Sequence, residues 1–340
     1  MKTVLLIGPK YMDLYKDILD GFIKLGYAVD FASELSSKKD SLNVRKGWFD
    51  YFSFGYEKVK EDYWKKLLNK KKYNKKYDIL FVLNGQGLHQ YIFETLKKRN
   101  KELRCYNYLF DTIKGVYKFN YFFPYFDKVY SFDKEECTLF DINWLPIYWV
   151  EQNDKCEEQY VLFGFGSYIP SRFTFFKSLY GFAKKKSIDS YIKLRYVIHR
   201  EWLYRIVQLI GRPFGFNLYL SIEDYHSPLI VQSTMSPSEF RAMINRSRII
   251  IDTHPEHQDG MTARFMWAMG AGKKIITTNE SIVNYEFYTP SCIFVLNKPL
   301  NEFIEKKLWT FINEDSTANE FVRRKIIKYR IDNWIKTIIS

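Results

Sequence analysis

The sequence has few cysteines and no long apolar segment. Its four cysteines among 340 residues form no Cys-x-x-Cys pair, which argues against a disulfide framework and against a structural zinc site. No stretch approaches the roughly 20 apolar residues that a membrane-spanning helix needs. The apolar run Thr3–Gly8 is too short for the core of a signal peptide. These absences predict a cytoplasmic protein.

The sequence also lacks the motifs of several enzyme classes. It contains neither the Gly-x-Ser-x-Gly elbow of α/β-hydrolases nor a P-loop ending in Gly-Lys-Ser or Gly-Lys-Thr. The segment Gly8-Pro9-Lys10 lacks the dinucleotide-binding glycines, and the segment Gly164-Phe165-Gly166-Ser167 lacks the third of them. A serine hydrolase, a P-loop NTPase and a dehydrogenase are therefore disfavoured.

The net charge of +13 is locally concentrated, because nine lysines lie between Lys58 and Lys76. One interpretation is a solvated helix face followed by a loop. The alternative is a surface for an anionic partner, for which we favour a membrane, since each basic residue near anionic lipid contributes about 1 kcal/mol. No zinc-finger spacing or helix-turn-helix signature supports nucleic acid. The alternative predicts peripheral binding to the inner face of the cytoplasmic membrane.

Alternating short apolar runs and amphipathic segments predict an α/β fold. In the first half, runs of strand length alternate with segments of helical period, such as Met12–Leu25 and Leu88–Lys98. Such alternation implies a parallel sheet covered by helices on both faces. The expected strands of this half are Thr3–Gly8, Tyr27–Phe31, Asp78–Leu83, Arg104–Phe110 and Lys128–Phe132.

A second α/β series follows an aperiodic segment, which we take as the domain linker, from about Leu145 to Glu158. After the first strand of this series, we expect a long, mostly helical region from Ser171 to about Gly211. The expected strands are Tyr160–Phe165, Arg248–Asp252, Lys274–Thr278 and Cys292–Leu296.

The predicted architecture is therefore two Rossmann-like parallel-sheet domains, at 1–150 and 155–315. Ligands of open α/β sheets bind beyond the carboxyl ends of the strands, so we expect the two domains to face each other across a binding cleft. The final residues, 316–340, predict one basic amphipathic helix that packs back toward the first domain.

The most informative segment is RIIIDTHPEHQDGMTARFMWAMGAGKKIITTN, which begins at Arg248. An apolar strand is followed by a polar loop, and Gly260 opens a helix whose free backbone N–H groups suit a diphosphate. Thr262 offers a hydroxyl, and Arg264 offers a bidentate donor on the first turn. The simpler interpretation is one β-α-β unit with a glycine-rich helix end.

The loop of this segment also carries four potential metal ligands within six residues, which are His254, Glu256, His257 and Asp259. Zinc sites usually draw their ligands from two structural elements, and a proline stiffens this single loop. We therefore expect no metal at this site.

The pattern HP…xGxTxRxxxAxGAxKKxITTN…xYxFY, within Met235–Leu296, resembles bacterial glycosyltransferases of the GT-B type from capsule, lipopolysaccharide and exopolysaccharide gene clusters. The segments YNYLFDTIKG, FDKVYSFDKEE and YVLFGFGSYIPSRFTFFKSL resemble further parts of that family. The resemblance implies transfer of a sugar from a nucleotide-diphosphate sugar to a cell-surface polysaccharide or a lipid-linked acceptor. It implies no essential metal and no cofactor besides the nucleotide sugar, which is a substrate. The implied donor-binding residues are Gly260, Met261, Thr262, Arg264, Arg172, Thr278, Asn279 and Tyr285.

One departure from the family pattern concerns its retaining members, which carry two glutamates eight positions apart around this helix. Asp259 and Trp267 stand at those positions, and an indole cannot accept hydrogen bonds from ribose hydroxyls as a carboxylate does. The resemblance therefore leaves the choice between an inverting and a retaining transfer open. It also leaves open a non-catalytic scaffold, a nucleotide-sugar sensor, and a nucleotide-sugar epimerase or hydrolase.

Two residues of the first domain are candidates for the catalytic base of an inverting transfer. Asp111 directly follows the apolar strand CYNYLF, although an aspartate there also suits the N-cap of a helix. His89 follows the glycine-bearing loop Asn84-Gly85-Gln86-Gly87, although a lone histidine in an amphipathic helix is more often structural. The sequence does not choose between these alternatives.

Overall fold

A computed structural model describes residues 1–10, 14–34, 53–113, 119–151, 156–197, 222–254, 260–315 and 319–340. The chain divides into two compact units. Unit 1 comprises Met1–Val150, Gln258–Met261 and Ile327–Ser340, and unit 2 comprises Glu151–His257 and Thr262–Ile326.

Unit 1 contains a six-stranded, all-parallel sheet with the strand order β2-β1-β3-β4-β5-β6. Its central strands consist of apolar residues that are buried on both faces, as the near-continuous apolar runs predict. The strands are β1 Thr3–Gly8, β2 Ala28–Ser33, β3 Ile79–Leu83, β4 Arg104–Leu109, β5 Lys128–Ser131 and β6 Asn143–Trp144.

The helices of unit 1 bury the apolar residues that recur with helical period. The second of them buries Trp64, Leu67 and Leu68 in the core and leaves Lys58, Lys65 and Lys66 exposed, while Lys60 is half-buried. The α-helices are α1 Leu14–Lys24, α2 Ser53–Leu68, α3 Gln90–Arg99 and α4 Lys134–Phe140, and a 3-10 helix spans Phe119–Tyr125.

Unit 2 contains a second six-stranded parallel sheet, with the order β12-β11-β10-β7-β8-β9. Its strands are β7 Tyr160–Ser167, β8 Ser190–Arg195, β9 Ile230–Val231, β10 Ser247–Asp252, β11 Lys274–Thr277 and β12 Ile293–Val295. Its α-helices are α5 Pro170–Lys185, α6 Ile222–Tyr225, α7 Pro237–Asn245, α8 Ala263–Gly270, α9 Glu302–Asn313 and α10 Asn319–Ile326.

The expectation of a mostly helical region from Ser171 to about Gly211 is wrong for residues 190–195, which form a strand, and residues 198–211 of that region lie outside the described residues. Helix α5 ends at Lys185, and β8 follows within the region. Strand β8 has the sequence SYIKLR, in which Ile192 and Leu194 alternate with less buried residues. This period of two is typical of a strand, and the short turn between Lys185 and Ser190 allows the change of direction.

The expectation of a single carboxy-terminal helix is also wrong, because the described part of the segment 316–340 contains two α-helices. Helix α10 belongs to unit 2, and α11 Ile331–Ile339 belongs to unit 1. Between them Trp149 pairs like a strand residue, donating to the Tyr329 carbonyl at 3.1 Å and accepting from the Ile331 amide at 2.9 Å. These bonds hold Arg330 in an extended conformation that no continuous helix could include.

Helix α11 packs on α1 and completes the core of unit 1. Gly21 of α1 allows this approach, because a Cβ there would lie 2.6 Å from Ile335 Cδ1. Trp334 is fully buried, contacts the rings of Tyr108 and Tyr148, and donates from its indole to the Pro146 carbonyl at 2.9 Å. The last helix is therefore part of the first unit's interior.

The predicted fold class, α/β with two Rossmann-like parallel-sheet domains, is confirmed by these two sheets. Across the described residues, no helix has the length and apolar character needed to cross a membrane.

We predict that Trp334→Ala destabilises the protein by roughly 3–5 kcal/mol, because it opens a large cavity and leaves a buried carbonyl unpaired. Chemical denaturation followed by circular dichroism measures this change. The matched control is Trp309→Ala, since Trp309 is 38% exposed, and it should cost less than about 1 kcal/mol. Equal effects of the two substitutions would contradict the structural role of α11.

Candidate functional site

Polar residues gather at the carboxyl edge of the unit 2 sheet. Asp252 ends the buried strand β10 and is followed by Thr253 and His254, while Thr277 ends the neighbouring strand β11. Because the strands are parallel, their carboxyl ends meet at one edge of the sheet, where α/β proteins bind ligands. This edge is the candidate site of unit 2.

Asp252 is the hub of this edge and is only 2% exposed. Its carboxylate accepts hydrogen bonds from the hydroxyls of Thr262, at 2.6 Å, and Thr277, at 3.4 Å. It also forms an ion pair with Arg264, whose Nε lies 3.4 Å from Oδ1. A buried carboxylate needs such partners, since an unpaired charge in this environment would be strongly unfavourable.

Two arginines meet next to this carboxylate. Arg264 donates to the carbonyls of Phe165, at 3.2 Å, and Thr253, at 2.8 Å. Arg172 donates to the hydroxyl of Thr253, at 2.6 Å, and to the carbonyl of Ser167, at 2.5 Å. Both guanidinium groups are thus fixed at the same edge by strand-end groups of β7 and β10.

The net charge of the cluster formed by Arg172, Arg264 and Asp252 is positive. Burial and the neighbouring Arg264 lower the pKa of Arg172 to about 9, and Asp252 opposes this shift. A guanidinium stays protonated at neutral pH, so two cations face one carboxylate. Gly166 makes room for them, because a Cβ there would lie 2.8 Å from Nη1 of Arg264 and 3.1 Å from Nη1 of Arg172. The arrangement favours an anion as a further partner.

A cavity of about 400 Å³ opens beside Arg172 within unit 2. Its volume is in the range of small-molecule sites. Its walls come from the first turns of α5, the carboxyl ends of β10 and β11, and the segment after β12. Its polar lining residues include Ser171, Arg172, Thr253, His254, Thr278 and Glu280, and its apolar ones include Phe175, Leu296 and Leu300.

The carboxyl edge of the unit 1 sheet carries a second polar network. Asp111, just after β4, is exposed, and its Oδ2 accepts a hydrogen bond from Asn84 Nδ2 at 2.9 Å. The backbone N–H of Ile113, which an N-cap at position 111 could bind, instead donates to Glu136 at 3.0 Å. Asp111 therefore gives this amide no cap.

His89 is the N-cap of α3. Its Nδ1 accepts a hydrogen bond from the backbone N–H of Tyr91 at 3.2 Å. Because a backbone N–H can only donate, Nδ1 is unprotonated in this contact, and a neutral ring then carries its proton on Nε2. His89 therefore has a structural role as a cap, and a proton on Nδ1 would break this contact.

Glu34, just after β2, is buried against the loop that follows β3. Its carboxyl accepts a hydrogen bond from the backbone N–H of Gly87 at 3.4 Å, and a Cβ on Gly87 would overlap the Glu34 backbone. Burial raises the pKa of Glu34 to about 8, the negative charge of Asp111 adds to the shift, and the amides of the loop oppose it. Glu34 is therefore mainly protonated at pH 7.

The chain matches no protein-family model, and no curated protein matches its sequence. Solved structures do match it over the whole length. A UDP-forming α,α-trehalose-phosphate synthase from Burkholderia vietnamiensis has a TM-score of 0.60 and 10% identity, with 100% of this chain and 99% of that chain covered. The amino-terminal domain of Candida albicans trehalose-6-phosphate phosphatase has a TM-score of 0.60 and 11% identity, with 100% and 96% covered.

A third similar structure is the catalytic domain of starch synthase IV from Arabidopsis thaliana, bound to ADP and acarbose. Its TM-score is 0.51 at 8% identity, with 100% of this chain and 97% of that chain covered. Such low identities show the fold alone. The chain has the GT-B fold. This fold follows from the match to structural neighbours that are glycosyltransferases of the GT-B type.

Within this GT-B fold, four of the expected donor residues lie at the polar edge of unit 2. Arg172 and Thr278 line the cavity, and Thr278 contacts His254 with 3.1 Å between its hydroxyl and Nδ1. Arg264 belongs to the cationic cluster, but the terminal nitrogens of its guanidinium group donate to the backbone carbonyls of Phe165 and Thr253. Thr262 caps α8 by accepting from the Phe265 amide at 3.1 Å.

The other four expected donor residues are buried. Gly260 and Met261 fall in unit 1, where a Cβ on Gly260 would overlap the ring of Phe132. Asn279 is buried and accepts from the Ser281 amide at 2.9 Å. Tyr285 is buried and stacked on Phe287, with ring centroids 5.4 Å apart. Their role in donor binding stays a prediction.

Several residues of the site are not predicted by the sequence pattern. The pattern assigns Asp252 only the end of a strand, and it does not place Thr253 and Gly166 in the cluster. A usable signal was present, because polar residues directly after a buried parallel strand lie at the edge where ligands bind. The other residues that the sequence did not indicate are Glu280, Leu296 and Leu300 in the cavity wall, whereas the end of β11 was expected to bring Thr277 to this edge.

Trp267, at the position of the second family glutamate, is buried against α7. Its ring lies 6.0 Å from that of Phe240 and 5.1 Å from the Arg241 guanidinium, and its indole N–H is buried without an acceptor among the described residues. The lining of the cavity does not include it. The other three positions discussed for carboxylate or metal chemistry, Glu256, His257 and Asp259, lie outside the described residues.

The lysine-rich segment Lys58–Lys76 covers α2 and the turns after it. Eight of its nine lysines are exposed, and only Lys60 is half-buried. Lys65 and Lys75 pair with Glu61 and Asp30, respectively. The segment therefore presents most of its positive charge to solvent, as both interpretations of the sequence require.

We predict that Glu34→Gln stabilises the protein, relative to the wild type, increasingly as pH rises from 5 to 9. The folded pKa of about 8 exceeds the ordinary value of 4.5, so the wild type gains stability from the bound proton at low pH and loses it as pH rises through 8. The substituted amide has no proton to lose over this range. Denaturant unfolding across this pH range measures the difference, with the exposed Glu94→Gln as control. A pH-independent difference would contradict the burial of a protonated Glu34.

Proposed function

We propose that this protein is a glycosyltransferase that moves a sugar from a nucleotide-diphosphate sugar to a cell-surface polysaccharide or a lipid-linked acceptor. The observation that carries the proposal is the pair of guanidinium groups, Arg172 and Arg264, fixed beside a single buried carboxylate at a carboxyl sheet edge. The structural neighbours with the same fold include a UDP-forming synthase and an ADP-bound starch synthase domain, which supports a nucleotide ligand here.

The proposed role of the cationic cluster is to hold the diphosphate. Negative charge builds on the leaving diphosphate as the bond to the sugar breaks, and preformed cations stabilise that charge without reorganising. Arg172 lines the cavity and carries an unfavourable interaction with Arg264, which an anion would relieve. The proposal needs no bound metal and no cofactor, in line with the family resemblance. Thr278 and His254 at the cavity wall complete the proposed donor site.

We propose Asp111 as the base that takes the proton of the acceptor hydroxyl in an inverting transfer. Its exposed carboxylate has one oxygen held by Asn84, which supports a defined orientation. His89 is the weaker candidate, because its Nδ1 already accepts from the Tyr91 amide and Nε2 then carries the ring proton. In such a transfer the acceptor oxygen bonds to the anomeric carbon while the diphosphate leaves with the bonding electrons.

A non-catalytic nucleotide-sugar sensor is the second candidate function. The observation that favours it is Trp267, which removes a carboxylate that retaining relatives carry on this helix and is itself buried against α7. A sensor would bind the nucleotide sugar without releasing the nucleotide, whatever acceptor is supplied. An epimerase or hydrolase would release an epimer or the free sugar without any acceptor.

We further propose that the Lys58–Lys76 surface binds anionic membrane from the cytoplasmic side. An acceptor of a capsule, lipopolysaccharide or exopolysaccharide pathway attached to lipid would then be concentrated near the enzyme. The exposed lysines support this proposal, since basic residues near anionic lipid contribute about 1 kcal/mol each.

We predict that one family of nucleotides, among UDP, GDP, CDP and dTDP and their sugars, raises the melting temperature of the wild type. At 100 times its dissociation constant, a ligand stabilises the folded state by about 2.7 kcal/mol. Arg264→Ala should abolish this stabilisation. Arg323→Ala, at an exposed arginine, should retain it. If no nucleotide stabilises a well-folded wild type, the donor-binding proposal is wrong.

We predict that Asp111→Asn lowers turnover by roughly 100- to 10,000-fold, the range of general-base contributions, while nucleotide binding is unchanged. His89→Gln should lower it far less, because the amide oxygen of glutamine can still approach the α3 amides. Nucleotide release and the melting temperature are measured on the same samples. Full turnover of Asp111→Asn would exclude it as the base, and a large loss in His89→Gln alone would favour the histidine.

We predict that the wild type sediments with vesicles containing about one-third anionic phospholipid and not with neutral vesicles, and that salt weakens this binding. Replacing Lys70, Lys71 and Lys72 together by glutamine should abolish it. The control replaces Lys184, Lys185 and Lys186, a lysine triplet in unit 2. Equal loss in the two variants would indicate an effect of net charge and contradict a specific surface.

A further inference from the structure

Asn84 holds an unusual backbone conformation at the end of β3. Its φ is 61°, and among the described residues only Asp141 and Ser187 also combine a side chain with a positive φ. Asparagine tolerates this left-handed region better than most residues do. The conformation directs the chain into the loop Gly85-Gln86-Gly87 and keeps the Asn84 side chain buried at the sheet edge.

Both ends of the Asn84 amide are used, and their orientation is fixed by chemistry. Its Oδ1 accepts from the backbone N–H of Phe110 at 2.7 Å, and its Nδ2 donates to Oδ2 of Asp111 at 2.9 Å. Because a backbone N–H can only donate, the oxygen has to face Phe110 and the nitrogen has to face the carboxylate. Asn84 thus bridges two consecutive residues of the β4 end.

The loop that carries Asn84 is held from several sides. The Asn107 amide donates to the carbonyls of Val82 and Asn84, at 3.1 Å each. The Trp64 indole donates to the Gly87 carbonyl at 2.8 Å, and the buried Glu34 carboxyl accepts from the Gly87 amide. With these contacts, the Asn84 side chain has little freedom to leave Asp111.

The network ends at the exposed carboxylate of Asp111, one of whose oxygens is not used by the network. Asp111 Oδ1 accepts no hydrogen bond from any residue in the described part of the chain, and Oδ2 accepts only that of Asn84 there. The neighbouring Ile113 amide is satisfied by Glu136 instead. A buried amide network that holds one oxygen of a surface carboxylate and leaves the other open suits proton transfer better than stability alone.

We propose that Asn84 is a positioning residue, which orients Asp111 so that Oδ1 faces the acceptor hydroxyl. This inference rests on the proposed function, in which Asp111 is the base. The hydrogen bond from Nδ2 fixes the plane of the carboxylate, and the open oxygen takes the proton. Such supporting contacts typically change activity by roughly 10- to 100-fold when removed.

Two substitutions separate the donated hydrogen bond from the backbone geometry. Asn84→Gly accepts the positive φ and removes the whole side chain. Asn84→Asp keeps the shape and the acceptor for the Phe110 amide, but it replaces the donor facing Asp111 by a second carboxylate. Ser187→Gly, at a left-handed position of unit 2, is the matched control for introducing glycine.

The first readout needs no substrate. The protein is labelled with ¹³C at aspartate carboxyl carbons, the Asp111 signal is assigned by its loss in Asp111→Asn, and its titration is followed by NMR. We expect a higher midpoint in Asn84→Gly than in the wild type, because the hydrogen bond donated to the carboxylate is lost, and a higher one again in Asn84→Asp, where a second carboxylate faces it. Ser187→Gly should leave it unchanged.

The second readout is turnover, measured as nucleotide release from the nucleotide sugar that stabilises the wild type, with UDP-glucose as the first probe. Both Asn84 variants should lower kcat roughly 10- to 100-fold with little change in donor KM, and should move the acidic limb of the pH–rate profile upward. A purely structural role would lower the melting temperature without moving that limb.

The outcomes separate the positioning role from the proposed function. A raised midpoint together with a moved acidic limb supports the proposal. If Asp111→Asn loses turnover but the Asp111 midpoint and the acidic limb stay fixed in a folded Asn84→Gly, Asn84 does not position the base. If Asp111→Asn keeps full turnover, the base itself is wrong, and the positioning role fails with it.

Discussion

The strongest constraint on this protein is that its two parallel sheets are buried, so that polar side chains lie mainly where the strands end. The central strands, such as β3 and β10, are mostly apolar and buried, so most charged and amide side chains lie at or just beyond the strand ends; the buried Asn107 of β4 is an exception. All strands of a parallel sheet end at the same edge. Asp252 in unit 2 and Asn84 in unit 1 each lie where a strand ends at that edge, and they organise the residues around them.

In unit 2 this constraint produces a positively charged edge. Arg172 and Arg264 come from helices that follow β7 and β10, and both donate to groups at the ends of those two strands. Burying two guanidinium groups together is unfavourable unless anions are near, and Asp252 supplies only one. The lowered pKa of Arg172 expresses this cost. A diphosphate would supply the missing negative charge, which is why the electrostatics and the proposed donor agree.

In unit 1 the same constraint produces a rigid amide network rather than a charged cluster. Glu34 is kept protonated by burial, so it can sit among backbone amides without adding a second negative charge beside Asp111. Asn84 and Asn107 satisfy strand-end carbonyls and N–H groups that would otherwise be buried unpaired. The exposed carboxylate that this network supports is Asp111, whereas the ring of His89 is held by its capping contact.

The sequence by itself determined the α/β class, most strand positions and the two-sheet organisation, because apolar runs such as ILFVL and RIIID report burial directly. It also singled out Arg172, Arg264 and Asp111 as functional candidates. Only the tertiary structure decided which side chains meet: Asp252 with Arg264, Asn84 with Asp111, and Glu34 with its loop. It also divided the carboxy-terminal segment between the two units, through a backbone pairing of Trp149 with residues far along the chain. Periodicity records which face of an element is buried, whereas partners distant in the chain are set by how the elements pack.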